Sequence, residues 1–402
     1  MTELFHPHIA NVLGIIALGI WLHLFFGRGW FWRVGKLDAD RGMGETLSEW
    51  PSVVAVIPAR NEAETIARVV TNLVQQDYPG SFCVVVVDDH SEDATARIVS
   101  EVAGELGAAE ELKIVSASAL PEHWTGKLWA LNEGVSSDRV TNLGTPGVPA
   151  QAPSFYWFTD ADVIHAPDTL RRLVGRAQRD RLDLASLMVL LQAKTFSERA
   201  LIPAFLYFFL MLYPPKWVED EELSTAGAAG GCILLKSEAL ARIGGLEAIR
   251  GEVIDDCALA KAVKQSGGKV WMGLTRKSES LRIYATFGEI RDLIARTAFT
   301  QLRYSPLILA GTLAGMLLTY VAPLLLLFAR DPTARVLGFV AWLLMTFSFL
   351  PTVRFYRLSI VWAPLLPLTA VFYTYATWLS ALRYWRGTGG FWKGRAQAPR
   401  RT

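Results

Sequence analysis

Cysteine is scarce in this chain: three among 402 residues, Cys83, Cys232 and Cys257, far apart and odd in number. That excludes a disulfide framework and a zinc spacing, and reads as buried free thiols in a reducing compartment. The six histidines are scattered without ligand spacing and read as structural or surface residues. No Ser-His-Asp or Cys-His constellation for covalent catalysis is visible. Net charge is small as well, +2, and basic and aromatic residues do not alternate as they do in single-strand binders. Nucleic acid is therefore not an expected partner. What the chain has in excess is apolar residues, 51%, while its middle keeps ordinary charge density. That combination indicates a soluble domain joined to membrane segments.

Residues 9–26 are apolar apart from Asn11 and His23, and Arg28, Arg33, Lys36 and Arg41 follow. Eighteen residues at 1.5 Å each reach about 27 Å, enough for a thin hydrocarbon core. A cleaved signal peptide is the alternative, but its positive charges would precede the apolar run and a small-residue cleavage site would follow. The positive-inside rule puts the N-terminus outside and the next domain in the cytoplasm. Residues 305–329, 336–353 and 359–382 are three more segments of spanning length, and the tail after 382 carries six basic residues. One span before the domain and three after it would leave that basic tail outside. Either 359–382, with Pro364 and Pro367, is re-entrant, or the charge rule fails. The expected organisation is a transmembrane helix at 1–27, a catalytic domain with interfacial helices at 28–304, a transmembrane region at 305–382 and a basic tail at 383–402.

Between the spans the pattern alternates strand and helix. Residues 52–58 read as a strand, with Asn61 and Glu64 as cap and N3 pair of a helix to about Gln76. Residues 82–87 are a second strand, apolar on both faces, ending in Asp88-Asp89-His90-Ser91. A helix over 92–106, a strand at 113–116, a helix opened by Thr125-Gly126-Lys127 and a loop rich in Gly, Pro and Thr over 141–153 lead to Phe155-Tyr156-Trp157-Phe158-Thr159. That buried strand runs into Asp160-Ala161-Asp162. The succession predicts an open parallel sheet whose ligands bind beyond the carboxyl ends of its strands, where Asp88/Asp89 and Asp160/Asp162 would share one crevice. Burying an unpaired carboxylate costs several kcal/mol, so a cation is expected there. Two oxygen ligands completed by water and substrate phosphates suit Mg2+ or Mn2+. An Asp-rich turn is the plain alternative.

A strand near 184–191 precedes the aromatic run 200–213, too short for a span and read as an interfacial or a buried core helix. Residues 226–235 join a glycine-rich approach to an apolar strand, a composition that lets a substrate lie close to backbone. Asp255 and Asp256 open a helix, where carboxylates also suit the helix dipole. Residues 286–303 read as an amphipathic helix arriving at the membrane.

With these pieces together, the chain resembles the membrane-bound inverting glycosyltransferases of family 2, and more narrowly the hopene-associated glycosyltransferases of bacterial hopanoid clusters. The matching residues are Val56-Ile57-Pro58-Ala59-Arg60-Asn61-Glu62, Val87-Asp88-Asp89-His90-Ser91, Gly126-Lys127 with Ala130-Leu131-Asn132, Thr159-Asp160-Ala161-Asp162, Gly230-Gly231-Cys232 and Ile254-Asp255-Asp256. The resemblance implies a glycosyltransferase-A domain, Rossmann-like with a mostly parallel sheet, in the inner membrane with its catalytic domain facing the cytoplasm. It implies that Pro58, Arg60, Glu62 and Asp89 line the nucleotide, that Lys127 lies near its phosphates or ribose, and that Asp160 approaches ribose and sugar. Asp162 would ligate the metal, Asp256 would be the catalytic base, and Gly230, Gly231, Asp255 and Tyr304 would face the acceptor. The family's Q-x-x-R-W signature stands here as Thr300-Gln301-Leu302-Arg303-Tyr304, with Tyr for Trp and the Gln displaced by one. Arg303 would add positive charge beside the leaving group, or simply anchor its helix by a salt bridge. The implied reaction is transfer from a nucleotide-sugar, a UDP-sugar, to a lipid such as a hopanoid. A processive polysaccharide synthase and a non-catalytic scaffold or flippase are the rivals.

Overall fold

The computed structural model describes residues 7–37, 39, 47–137 and 152–388, with the backbone of 391–392 and 395–396. The loop expected at 141–153 lies almost wholly outside the described residues. In chain order the helices are α1 (Pro7–Leu22), α2 (Ile66–Val74), α3 (Thr95–Glu105), α4 (Gly126–Ser136), α5 (Thr169–Arg179), α6 (Phe196–Leu212), α7 (Pro215–Glu219), α8 (Ser237–Arg242), α9 (Asp255–Gln265), α10 (Phe287–Gln301), α11 (Pro306–Met316), α12 (Ala322–Leu326), α13 (Pro332–Phe355) and α14 (Leu366–Trp385). The strands are β1 (Val53–Ala59), β2 (Phe82–Asp88), β3 (Leu112–Ser116), β4 (Phe155–Thr159), β5 (Val163–His165), β6 (Leu184–Leu190), β7 (Cys232–Lys236) and β8 (Val270–Ser280), with a tail hairpin of β9 (Phe391–Trp392) and β10 (Arg395–Ala396). The chain divides into two units. One holds Asp38–Gln192, Trp217–Arg282 and Gly390–Thr402, the other Met1–Leu37, Ala193–Lys216 and Ile283–Gly389.

The first unit is built on an eight-stranded sheet of order β3-β2-β1-β4-β7-β6-β8-β5. Its centre consists of strands that are apolar on both faces because helices cover both: every residue of β1 and β4 is buried, and all of β2 but Phe82. β1 to β4 run parallel, whereas β7 is antiparallel to both β4 and β6, with Thr159 opposite Cys232. That reversal positions the site. Because β7 runs backwards, its start lies beside the end of β4, so Gly230 and Gly231 arrive next to Asp160. α4 lies close on β1 and β2 through Gly134, where a Cβ would stand 2.4 Å from Val56 Cγ1.

One expected boundary is corrected. α2 starts at Ile66 with Thr65 as its N-cap, not at Asn61. Asn61 adopts a left-handed backbone (φ 51) and its side-chain oxygen accepts from Glu92 N at 2.8 Å, tying the ends of β1 and β2 together. Asn tolerates that conformation as readily as it caps, which is why its sequence signal was ambiguous.

The second unit is helical. Among the described residues, five segments of the chain are long and apolar enough to cross a membrane: Pro7–Gly27, Phe196–Glu219, Pro306–Leu326, Pro332–Phe355 and Ile360–Trp385. A proline interrupts the helical hydrogen bonding here, and a neighbour satisfies the carbonyl it frees. Pro323 gives no N–H to Thr319 O, one helical turn back, and the indole of Trp21 donates to that oxygen at 2.7 Å. Pro203 lies inside α6, and on the same helix the Thr369 and Tyr373 hydroxyls donate to Ala200 O and Leu201 O at 3.1 and 3.0 Å. α6 and α10 both begin with capping boxes, Thr195 with Glu198 and Thr286 with Glu289. α10 stops at Gln301, and Arg303 and Tyr304 follow in left-handed conformations (φ 54 and 56).

Candidate functional site

The cleft lies in the sheet unit, at the carboxyl ends of β1 and β4 and the start of α9. It measures about 320 Å3 counting its open mouth, and Pro58, Lys127, Asp160, Gly230, Asp255 and Asp256 line it with apolar neighbours. At its centre Lys127 Nζ stands 2.9 Å from Asp160 Oδ1 and 3.4 Å from Asp255 Oδ2, on a side chain 17% exposed. Lys127 occupies the first turn of α4, fixed by the Thr125 hydroxyl, which accepts from Leu128 N. Burial alone would lower the pKa of that ammonium, but Asp160, Asp255 and Asp256 raise it, so it stays charged.

Asp256 is held by main chain. Gly230 N donates to its Oδ2 at 2.8 Å and Cys257 N to its Oδ1 at 2.7 Å. Burial first, then Asp255, pushes its carboxyl up to about 6 against the opposing charge of Lys127. Asp162 behaves alike: burial, with Asp160 and Glu62, raises it to about 6, while Arg282 and Lys127 pull the other way. Asp160 to Asp162 form a turn, with Val163 N donating to Asp160 O at 3.3 Å, as the plain alternative expects. Carboxyls raised by burial first and by one another second fit a divalent cation. Among the described residues no group of three or more His, Cys, Asp or Glu is placed to hold a metal, so a cation here would draw its remaining ligands from phosphates and water.

The other predicted residues fall around this centre. Arg60, 8% exposed, donates to the carbonyls of Asp89 and His90 and so braces the end of β2. Asp89 is buried, with Oδ1 3.4 Å from His90 Nδ1, and Glu62 N donates to Thr95 Oγ1 at 2.8 Å. Gly231 lies where a Cβ would meet Val189 at 2.9 Å. Arg303 and Tyr304 belong to the helical unit.

Sequence reasoning missed the supports. The Thr159 hydroxyl donates to Gly231 O at 3.1 Å and meets His165 Nε2 at 2.9 Å, while His165 Nδ1 meets Ser278 Oγ at 2.8 Å. One proton arrangement satisfies all three contacts: Nε2–H donates to Thr159 and Nδ1 accepts from Ser278. Ser186 accepts from Ala229 N and donates to Ala229 O, at 2.8 and 3.2 Å. Lys264 donates to Trp217 O, Val218 O and Thr225 O within 3.0 Å, pinning the segment ahead of the glycines to α9. A Thr at the end of a buried strand facing a downstream His offered the one hint of this network.

A parallel half-sheet whose carboxylates surround a lysine, closed by a glycine-rich approach, is an α/β cleft suited to an anionic ligand and a cation. Residues 51–297, more than half of the chain, match the model described as glycosyltransferase like family 2, and the chain belongs to that family. A mannosyltransferase from Pyrobaculum calidifontis, solved with GDP-Man and Mn2+, superposes with a TM-score of 0.50 at 19% identity, over 93% of this chain and 99% of that one. The fold is therefore of the glycosyltransferase-A type. A beta-monoglucosyldiacylglycerol synthase of Trichormus variabilis is 29% identical over 175 residues, 43% of this chain and 31% of that protein. An N-acetylglucosaminyltransferase of Mesorhizobium japonicum is 33% identical over 135 residues, 32% of this chain and 26% of that protein. The chain thus spans less than a third of the length of the curated relatives it matches.

Proposed function

We propose that the protein is a membrane-bound inverting glycosyltransferase that moves a sugar from a nucleotide-sugar, a UDP-sugar, to the hydroxyl of a lipid acceptor in one displacement. The observation that carries this reading is Asp256: a carboxyl fixed by Gly230 N and Cys257 N, raised to about 6, in the same cleft as Lys127 and Asp160. A general base works best with a pKa near the operating pH. Asp256 takes the proton from the acceptor hydroxyl as its oxygen attacks the anomeric carbon, and the nucleoside diphosphate departs. Lys127 offers positive charge to the donor's phosphates or ribose, and Asp160 the approach to ribose and sugar. Pro58, Arg60, Glu62 and Asp89 line the nucleotide. Asp162 would hold Mg2+ or Mn2+, which when bound neutralises charge on the diphosphate. Gly230, Gly231 and Asp255 face the acceptor. Arg303 as a charge near the leaving group and Tyr304 on the acceptor side are carried by the motif alone.

The lipid acceptor is supported by the five apolar helices and by the diacylglycerol named in the relatives' activity. A hopanoid or other polyisoprenoid alcohol is the narrow candidate, in a bacterial inner membrane with the sheet unit facing the cytoplasm. The test is transfer of radiolabel from a panel of UDP- and GDP-sugars to membrane lipid by the purified protein, with Mn2+, with Mg2+ and with chelator. One discrete lipid, labelled only with metal and lost in Asp162→Ala and Asp256→Asn, is expected. A ladder of products would replace the reading with a processive synthase, and UDP binding without transfer to any lipid would favour a non-catalytic role. Retention of the anomeric configuration would exclude single displacement.

A further inference from the structure

We propose that α14 does not cross the bilayer but lies in the lipid interface beside α6 and α10, so that the chain crosses three times and its basic tail returns to the side of the sheet unit. The inference rests on the membrane reading above and deepens it.

The argument starts with α6, which is apolar enough to cross yet cannot. It is inserted between β6 and β7, which are hydrogen-bonded neighbours in one sheet. Just beyond its end, Trp217 O and Val218 O are held by Lys264 of α9. A helix that leaves and rejoins one folded unit within a few residues stays on that unit's side of the membrane. α10 runs parallel to it. At their starts the Ser197 hydroxyl donates to Ala285 O at 3.0 Å and Tyr284 N donates to Glu198 Oε1 at 2.7 Å; at their ends the Tyr213 hydroxyl donates to Gln301 Oε1 at 2.9 Å. α10 also carries Glu289, Arg291, Asp292 and Arg296, a set that hydrocarbon does not accept.

α14 follows the same direction along α10. Phe372 meets Phe287 with ring centroids 6.1 Å apart, Ser380 Oγ accepts from Phe299 N at 3.0 Å, and Arg383 pairs with Asp292 at 2.7 Å. On its other flank the Thr369 and Tyr373 hydroxyls donate to Ala200 O and Leu201 O of α6. Its exposed stripe, Leu368, Val371, Tyr375, Trp378 and Trp385, bears aromatic rings from mid-helix to its end, where a spanning helix concentrates them at its two ends. Of the five apolar segments, those containing α6 and α14 are the least apolar.

The remaining three crossings are α1, the α11–α12 pair and α13. Charge now agrees with topology. Arg28, Arg33 and Lys36 after α1, Arg354 and Arg357 at the end of α13, and the six basic residues after 382 all lie on the sheet unit's side, against Arg330, Asp331 and Arg335 in the opposite loop.

The test is labelling of single added cysteines with a membrane-impermeant maleimide in sealed vesicles of each orientation; the three native cysteines are buried. The variants are Glu105→Cys at the end of α3, Arg330→Cys, and Thr388→Cys after α14, all at exposed positions. Glu105→Cys and Thr388→Cys should label from the same face and Arg330→Cys only from the other. Labelling of Thr388→Cys together with Arg330→Cys, opposite Glu105→Cys, would overturn the proposal and leave the membrane reading standing. Labelling of all three from one face would overturn both.

Discussion

Gly134→Ala tests how closely α4 rests on the sheet. The added Cβ would stand 2.4 Å from Val56 Cγ1 and 2.9 Å from Val87 Cγ2, on strands with no exposed surface at either residue. Carbon atoms settle at about 3.5–4.0 Å, so helix or strand must give way by about 1 Å. Overpacking of this kind costs about 1–3 kcal/mol, and the better helix propensity of Ala offsets about 1 kcal/mol. A net loss of up to about 2 kcal/mol remains, lowering the unfolding midpoint by about 2–4 °C for each kcal/mol. Lys127 sits on the same helix two turns earlier, and its 2.9 Å contact with Asp160 leaves little slack, so nucleotide-sugar affinity should fall with stability. Thermal unfolding and donor titration measure the two effects. Adding Val56→Ala, which removes the nearer methyl group and leaves that of Val87, should recover part of both. A Gly134→Ala protein about 1 kcal/mol more stable than the parent would refute the reasoning, because propensity would then act unopposed.

Lys127→Met leaves Asp160, Asp255 and Asp256 without their shared cation; a loss of about 3–5 kcal/mol is expected, with the acid limb of the pH–rate profile moved upward as Asp256 binds its proton more tightly. His165, buried and pushed down to about 3, is neutral in the folded protein. Since an unfolded His titrates near 6.5, its contribution is intact above that pH and falls by up to about 1.4 kcal/mol per unit as pH drops toward 3; urea titrations should show a flatter acid slope in His165→Gln. Trp21→Phe orphans Thr319 O and should cost about 1–3 kcal/mol, a cost that shrinks in a Pro323→Ala background, where residue 323 regains an N–H. Thermal unfolding in lipid of the two singles and the double measures that coupling.

The strands were legible because apolar runs bounded by turn residues have few other uses, and Asp160, Lys127, Gly230, Asp255 and Asp256 were legible as motifs that this fold brings into one cleft. The reversal of β7 was not, since Cys232 to Lys236 is a short apolar run that carries no sign of its direction. Asn61 was misplaced because one residue type serves both as cap and in left-handed turns. α6 was read short, from its aromatic centre at 200–213, although Thr195 and Glu198 already had the spacing of a capping box. His165 was read only as structural or surface, because what it supports, Thr159 and through it the Gly231 carbonyl, depends on pairing across the sheet that no local pattern records.

The reversed strand has a consequence during synthesis. β4 is complete at Thr159, yet the partner for its free edge does not begin until Cys232. At about 5–20 residues per second, the central edge of the sheet waits several seconds, with α6 emerging in the interval. The apolar helix is therefore exposed before the strand that seals the sheet exists, and early capture of α6 by lipid would hold β6 in place for β7 to close.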